Sequence, residues 1–147
     1  MSENSKIFLD FDVDGENFVS AGTASEAVKY NLKKLGLPAE IIRKAAICMY
    51  EGEINMVIHA KGGKAKVCID KDEIIIELTD VGPGIPDIPL AMQEGWSTAP
   101  DNIRSLGFGA GMGLPNMKKY SDDMEIESTV GEGTKIKMVV KIKGGNN

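Results

Sequence analysis

The stretch GFGAGMGLPNMKKY, residues 107–120, places glycine at every second position from Gly107 to Gly113 and then runs directly into a helix-forming sequence. Glycine loses more backbone freedom on ordering than any other residue. So dense a run implies either an unusual bend or a close approach by another group. The start of the following helix offers unpaired N–H groups and about half a positive charge, which suits a phosphate. Taken alone, the string reads equally as a surface loop. It fits neither familiar phosphate motif. GxxxxGK[ST] does not occur, and the spacing from Gly107 is GxGxGxG rather than GxGxxG. A nucleotide bound here would be bound another way.

The remaining sequence limits the class of protein. A chain of 147 residues, 42% hydrophobic and 27% charged, supports one core, so residues 1–147 are expected to form a single domain. A net charge of -5 and a pI near 4.9, without a basic run, argue against direct nucleic-acid binding or an anionic membrane surface. The longest apolar run, AAICMY, cannot cross a bilayer, and MSENSKIFLDF carries no secretory leader. Cys48 and Cys68 form no CxxC pair and no metal spacing with His59. Both read as core thiols in a reducing, cytoplasmic compartment.

Periodicity sets out the elements. KIFLDFDV alternates as a half-buried strand, and TASEAVKYNLKKLG is an amphipathic helix with Thr23 and Glu26 at capping-box spacing and Gly36 as its stop. A second helix starts at Pro38 and is expected to run to about Lys61, ended by Gly62 and Gly63. KAKVCID and EIIIELTD form a hairpin around Lys71 and Asp72, and IPLAMQEG is at most a short helix. Residues 95–110 read as loop, Leu114 to about Ser121 as helix, and MEIES with TKIKMVVKI as a closing hairpin around VGEG. The predicted fold class is α+β: a two-layer α/β sandwich with a mixed, mostly antiparallel sheet and helices on one face. DFDVDG opens like a calcium loop, but the bidentate glutamate would fall on Ala21, and strand alternation runs through the motif.

Three further strings could carry chemistry. EGEINMVIHA puts Glu51, Asn55 and His59 on one helix face, with Glu51 and Asn55 about 6 Å apart along the axis. An amide oxygen suits magnesium when phosphates supply the charge, and a carboxylate one turn earlier could orient or deprotonate a hydroxyl. The other reading is a solvated polar face. Gly52, unfavourable in mid-helix by about 1 kcal/mol, points to a close neighbour, and His59 is assigned a structural role. DVGPGIPD places Asp80 at a strand end with Gly82 and Gly84 in the turn. An ionised Asp80 only accepts hydrogen bonds, so it would take the exocyclic amine of adenine and reject guanine; a plain turn is the alternative. GEGT, ending in Thr134, is an ordinary hairpin turn in isolation.

The order of these pieces is more specific than any one of them. ExxxN on a helix, DxGxG after a strand, a glycine-rich loop opening a helix and GxGT before the last strand resemble one known domain over residues 38–142. It is the ATP-binding domain shared by gyrase, the ninety-kilodalton heat-shock chaperone, histidine kinases and MutL (the GHKL or Bergerat fold). EGWST and GAGMGLPNMKKYSD are most similar to bacterial anti-sigma factors and related serine/threonine switch kinases. The resemblance implies ATP held with magnesium, Asn55 as metal ligand, Glu51 as catalytic base and Asp80 reading adenine. Gly82 and Gly84 would line the base pocket; Gly109, Gly111, Met112, Gly113 and Leu114 would close over the phosphates; Thr134 would lie near adenine. It implies kinase activity on an anti-sigma-antagonist-type protein, or alternatively a nucleotide-gated protein that sequesters a sigma factor, and it allows a homodimer. In the resembling proteins an arginine directly precedes the lid glycines, whereas Arg104 stands further upstream. Glu53 is a second acid turned about 200° from Glu51, and Trp96 is read as a loop staple or a partner anchor.

Overall fold

In the computed structural model, residues 6–14, 22–59, 62–85, 87–93 and 113–142 are described. Five strands, β1 (Ile7–Asp14), β2 (Gly62–Ile69), β3 (Glu73–Thr79), β4 (Asp123–Thr129) and β5 (Gly133–Lys141), form one sheet in the order β1-β2-β3-β5-β4. All four pairings are antiparallel, so no mixed pairing occurs among the described strands. Helices α1 (Thr23–Lys34), α2 (Ala39–His59) and α4 (Gly113–Tyr120) cover one face; α3 (Ile88–Ala91) is a single turn. The strand alternation predicted from the sequence places Val67, Ile76, Ile136 and Met138 against those helices.

The opposite face carries a row of alternating charge. Asp10, Lys66, Glu77, Lys137 and Glu125 stand side by side across all five strands, alternating in sign. Opposite charges directly across a pair favour this alignment over a slipped one, which would also expose the apolar face. Cys68 lies half-buried on this open side, so only Cys48 is the fully buried thiol expected from the sequence.

Helix α2 is the longest described element and packs against α1, α4 and the sheet. Gly52 provides its seat. A Cβ there would overlap the Leu78 side chain of β3, so the close neighbour inferred from the sequence is the protein's own core. The helix is described as far as His59, and the end expected near Lys61 lies outside the described residues; Gly62 and Gly63 begin β2, paired with Asp14 and Val13. A Cβ on Gly63 would overlap the carbonyl of Thr79 at the end of β3, so glycine is what permits the close approach there.

The predicted capping box is replaced by a longer-range cap. Gly22, not Thr23, is the N-cap of α1, and Glu53 of α2 supplies the carboxylate. Its two oxygens accept from Ala24 N and Ser25 N, each at 3.1 Å. Glu53 is 3% exposed, so the 200° offset from Glu51 turns this acid into a bolt between two helices. At the other end, Gly36 adopts φ 73° and Leu37 N donates to Leu32 O, as expected of a glycine stop. Glu53→Ala is expected to cost about 2–3 kcal/mol, because two buried N–H groups lose a charged acceptor. Urea denaturation measures it, and a loss within experimental error would show that α1 is held by packing alone.

Candidate functional site

Three sides of α2 meet three partners, and the side facing α4 carries the polar groups singled out in the sequence. Cys48, Glu51 and Asn55 follow one another at i, i+3 and i+7, a single stripe along the helix. The Cys48 thiol donates to Met117 O at 3.8 Å. Asn116 Nδ2 donates to Glu51 Oε2 at 2.8 Å. At the start of α4, a Cβ on Gly113 would lie 3.9 Å from Asn55 Oδ1. Thus residues 117, 116 and 113 of α4 follow 48, 51 and 55 of α2 in opposite order, which sets the amide oxygen of Asn55 beside the N-terminus of α4. Pro115 sits in the first turn of that helix, where an N–H would have no intrahelical partner.

Burial sets the electrostatics of this stripe. Glu51 is half-buried, and desolvation holds its carboxyl above the usual glutamate value, partly offset by the hydrogen bond from Asn116. Burial also pushes the Cys48 thiol up to about 12, with the charges of Asp122 and Glu51 adding to the effect. That thiol remains protonated and acts as a weak donor rather than a nucleophile.

Asp80 directly follows the central strand β3 and lies against Gly63, where Met56, the residue after Asn55, also reaches. Its backbone N–H donates to Thr134 O at 3.0 Å, and its Oδ1 accepts from Thr134 N at 3.1 Å. Desolvation raises the Asp80 carboxyl, while backbone donors from Thr134 and Gly82 pull it back. The following turn is fastened to the β4–β5 hairpin. Gly131 N donates to Pro83 O at 2.9 Å, and Ile85 N donates to Ser128 Oγ at 2.7 Å. Ser128 Oγ also shares a 2.8 Å hydrogen bond with Thr134 Oγ1, which is 7% exposed. Gly84, at φ 80°, lies so close to the Thr129 carbonyl that a Cβ would overlap it. DVGPG and GEGT, separate strings in the sequence, therefore form one structural unit.

The structure brings Glu51, Asn55 and Gly113 together on the α2–α4 side, and Asp80, Gly82, Gly84 and Thr134 at the strand ends. Leu114 turns its side chain into the core. Gly109, Gly111 and Met112, with Trp96 and Arg104, lie outside the described residues, as does the side chain of His59. Sequence reasoning missed Asn116 and Ser128. Both are short polar residues inside strings read for other reasons, and only the helix pairing and the hairpin register show what they meet.

The donor set can be tested against magnesium. Among the described residues no three His, Cys, Asp or Glu side chains cluster tightly enough to hold a metal by themselves. A single amide oxygen, Asn55 Oδ1, beside a helix N-terminus fits an ion that takes one or two protein oxygens and completes its octahedron with phosphate and water. Asp80 is a half-buried acceptor framed by backbone donors at a strand end, a group whose chemistry suits a partner that offers an N–H.

Comparison with known proteins agrees with this arrangement. Residues 41–144 match the family described as histidine kinase-, DNA gyrase B-, and HSP90-like ATPase. The chain is 34% identical over 133 residues to an anti-sigma F factor of Clostridium acetobutylicum, covering 87% of this chain and 86% of that protein. It is 31% identical to an anti-sigma F factor of Clostridium botulinum across 96% of each chain. It is also 33% identical to the serine/threonine-protein kinase RsbT of Bacillus subtilis, over 73% of this chain and 77% of the relative.

Two expectations follow from the geometry. A carboxyl raised by folding costs stability when ionised, fully so above its folded value; the cost fades as pH falls from that value toward the ordinary glutamate value and is absent below it. Glu51→Gln should therefore raise the thermal midpoint at neutral pH and leave it unchanged in acid where both states are protonated; a midpoint lowered at neutral pH would contradict this. Gly133, at φ 142°, has the Asp80 carbonyl where a Cβ would stand. Gly133→Ala should cost about 2–4 kcal/mol in urea denaturation, from backbone strain together with overlap; wild-type stability would mean that the Asp80 turn yields freely.

Proposed function

Because the chain belongs to the histidine kinase-, DNA gyrase B-, and HSP90-like ATPase family, we propose that it binds ATP with magnesium and acts as a serine/threonine protein kinase of the anti-sigma regulatory type. Its substrate would be a small anti-sigma-antagonist protein, and the whole chain, 1–147, would work as one cytoplasmic domain. The observation that carries the reading is the α2 stripe, on which Glu51 and Asn55 stand together against the first turn of α4. Similarity to a relative named as a serine/threonine-protein kinase supports the transfer activity.

In this reading Asp80 accepts the exocyclic amine of adenine, with Thr134 beside it and Gly82 and Gly84 lining the base. The phosphates meet backbone N–H groups of Gly109, Gly111, Met112, Gly113 and Leu114, which is the role proposed for the glycine-rich string. Asn55 Oδ1 would hold magnesium, which when bound offsets the charge of the phosphates. Glu51 takes the proton of the acceptor serine or threonine hydroxyl as that oxygen bonds to the γ-phosphorus. The bond from the γ-phosphorus to the β,γ-bridging oxygen breaks, and ADP leaves with its electron pair. Most of the acceleration would come from positioning and charge neutralisation.

A second reading is a nucleotide-gated binder that sequesters a sigma factor with little turnover, favoured by the relatives named anti-sigma F factors. Two measurements separate the possibilities. Labelled ATP should pass phosphate to a serine or threonine of the antagonist, with the rate falling about 10²–10⁴-fold in Glu51→Ala. Undiminished transfer in that variant would remove Glu51 as base, while retention of a sigma factor with ATP and no phosphorylated antagonist would favour the binder. In calorimetry the wild type should select ATP over GTP and Asp80→Asn should lose that affinity; equal binding of both nucleotides would refute adenine reading.

A further inference from the structure

The hydrogen bond between α4 and Glu51 joins the proposed base to a residue that the four-part motif does not contain. Asn116 stands in the first turn of α4, one residue before Met117, which is fully buried and receives the Cys48 thiol on its carbonyl. The backbone that carries the Asn116 amide is thereby fixed against α2 beside the point where the amide meets Glu51. Both partners of the 2.8 Å bond are half-buried, so each has access to water. The bond is therefore not needed to satisfy an orphaned buried atom, and its worth to stability is small. What it does is orientational. A carboxylate has two oxygens and about four lone-pair sites. A neutral amide bound to Oε2 fixes the carboxylate's rotation without cancelling its charge, and leaves Oε1 for another donor.

We propose that Asn116 is a positioning residue for Glu51, holding one carboxylate oxygen so that the other is presented to the hydroxyl of the protein substrate. This rests on the kinase reading given above. A lysine or arginine at the same place would hold the carboxylate equally well but reduce its basicity, and an aliphatic residue would leave it free to turn. Asparagine fixes the base with the least loss of proton affinity.

The test uses the full chain with ATP, magnesium and the antagonist substrate. Asn116→Ala should lower kcat for transfer about tenfold to a hundredfold, as expected for a misoriented reacting group. The KM for ATP and the calorimetric ATP affinity should stay within about twofold of wild type, because the residue acts through Glu51 and not on the nucleotide. In a Glu51→Gln background the same substitution should lower the residual rate no further, since there is no base left to orient. A purely structural role would instead reduce the rate equally in both backgrounds, and that result, or wild-type kcat in Asn116→Ala, overturns the proposal. The contact itself is read without any assay of transfer. The Asn116 side-chain amide should give one downfield proton resonance that is lost in Glu51→Ala, and an unchanged resonance also overturns the proposal. A wild type that keeps this resonance and binds ATP, yet phosphorylates no antagonist, refutes the kinase reading specifically. The orienting role is then decided by the same non-additivity in hydrolysis of ATP to ADP, and a chain inert in both assays overturns it.

Discussion

The seat of α2 on the sheet, made by Gly52 against Leu78, is the contact on which the rest of the molecule depends. Without a Cβ the helix axis approaches β3 closely, and its two flanks are brought level with the neighbouring helices. One flank delivers Glu53 to the start of α1, and the other delivers Glu51 and Asn55 to the start of α4. Two acids only two positions apart thus have unrelated duties. The 100° advance per residue sends one to tie helices together and the other to the proposed reaction centre.

The strand-end unit follows a different logic. Asp80, its turn and the β4–β5 hairpin are joined by backbone hydrogen bonds and by the hydroxyls of Ser128 and Thr134, so a single acid is held by parts of the chain far apart in sequence. Gly84 and Gly133 permit that closeness, because a side chain at either would overlap a facing carbonyl. These glycines are required by the protein's own backbone, whatever ligand the turn meets. Acceptor capacity at Asp80 is therefore fixed before any ligand arrives, which lowers the reorganisation that binding would demand.

Much of this was legible in the sequence, and the limits have physical causes. Period-2 alternation located the strands, and period-3.6 patterning located α1 and α2, because burial on one face is a local property of the string. The two-layer α+β class followed from their order. The capping of α1 was misread because Thr23 and Glu26 satisfy a local rule, whereas the acceptor in use, Glu53, comes from a different helix. For Gly62 and Gly63 the local string shows a helix stop and nothing of the strand they begin. Their strand role depends on pairing with Asp14 and Val13, which no window along the chain contains. Glu51, Asn55 and Asp80 stood out because motif order is itself a sequence property, while Asn116 and Ser128 become visible only through contacts between distant segments.

The strand order has a consequence for synthesis. β5, the last of the described strands along the chain, lies inside the sheet between β3 and β4, so until residues 133–141 have emerged from the ribosome β3 keeps a bare hydrogen-bonding edge. Asp80 is made more than fifty residues before Thr134, its backbone partner. A nascent chain would hold the acid without its frame, and the strand-end unit would form only as translation of this region finishes.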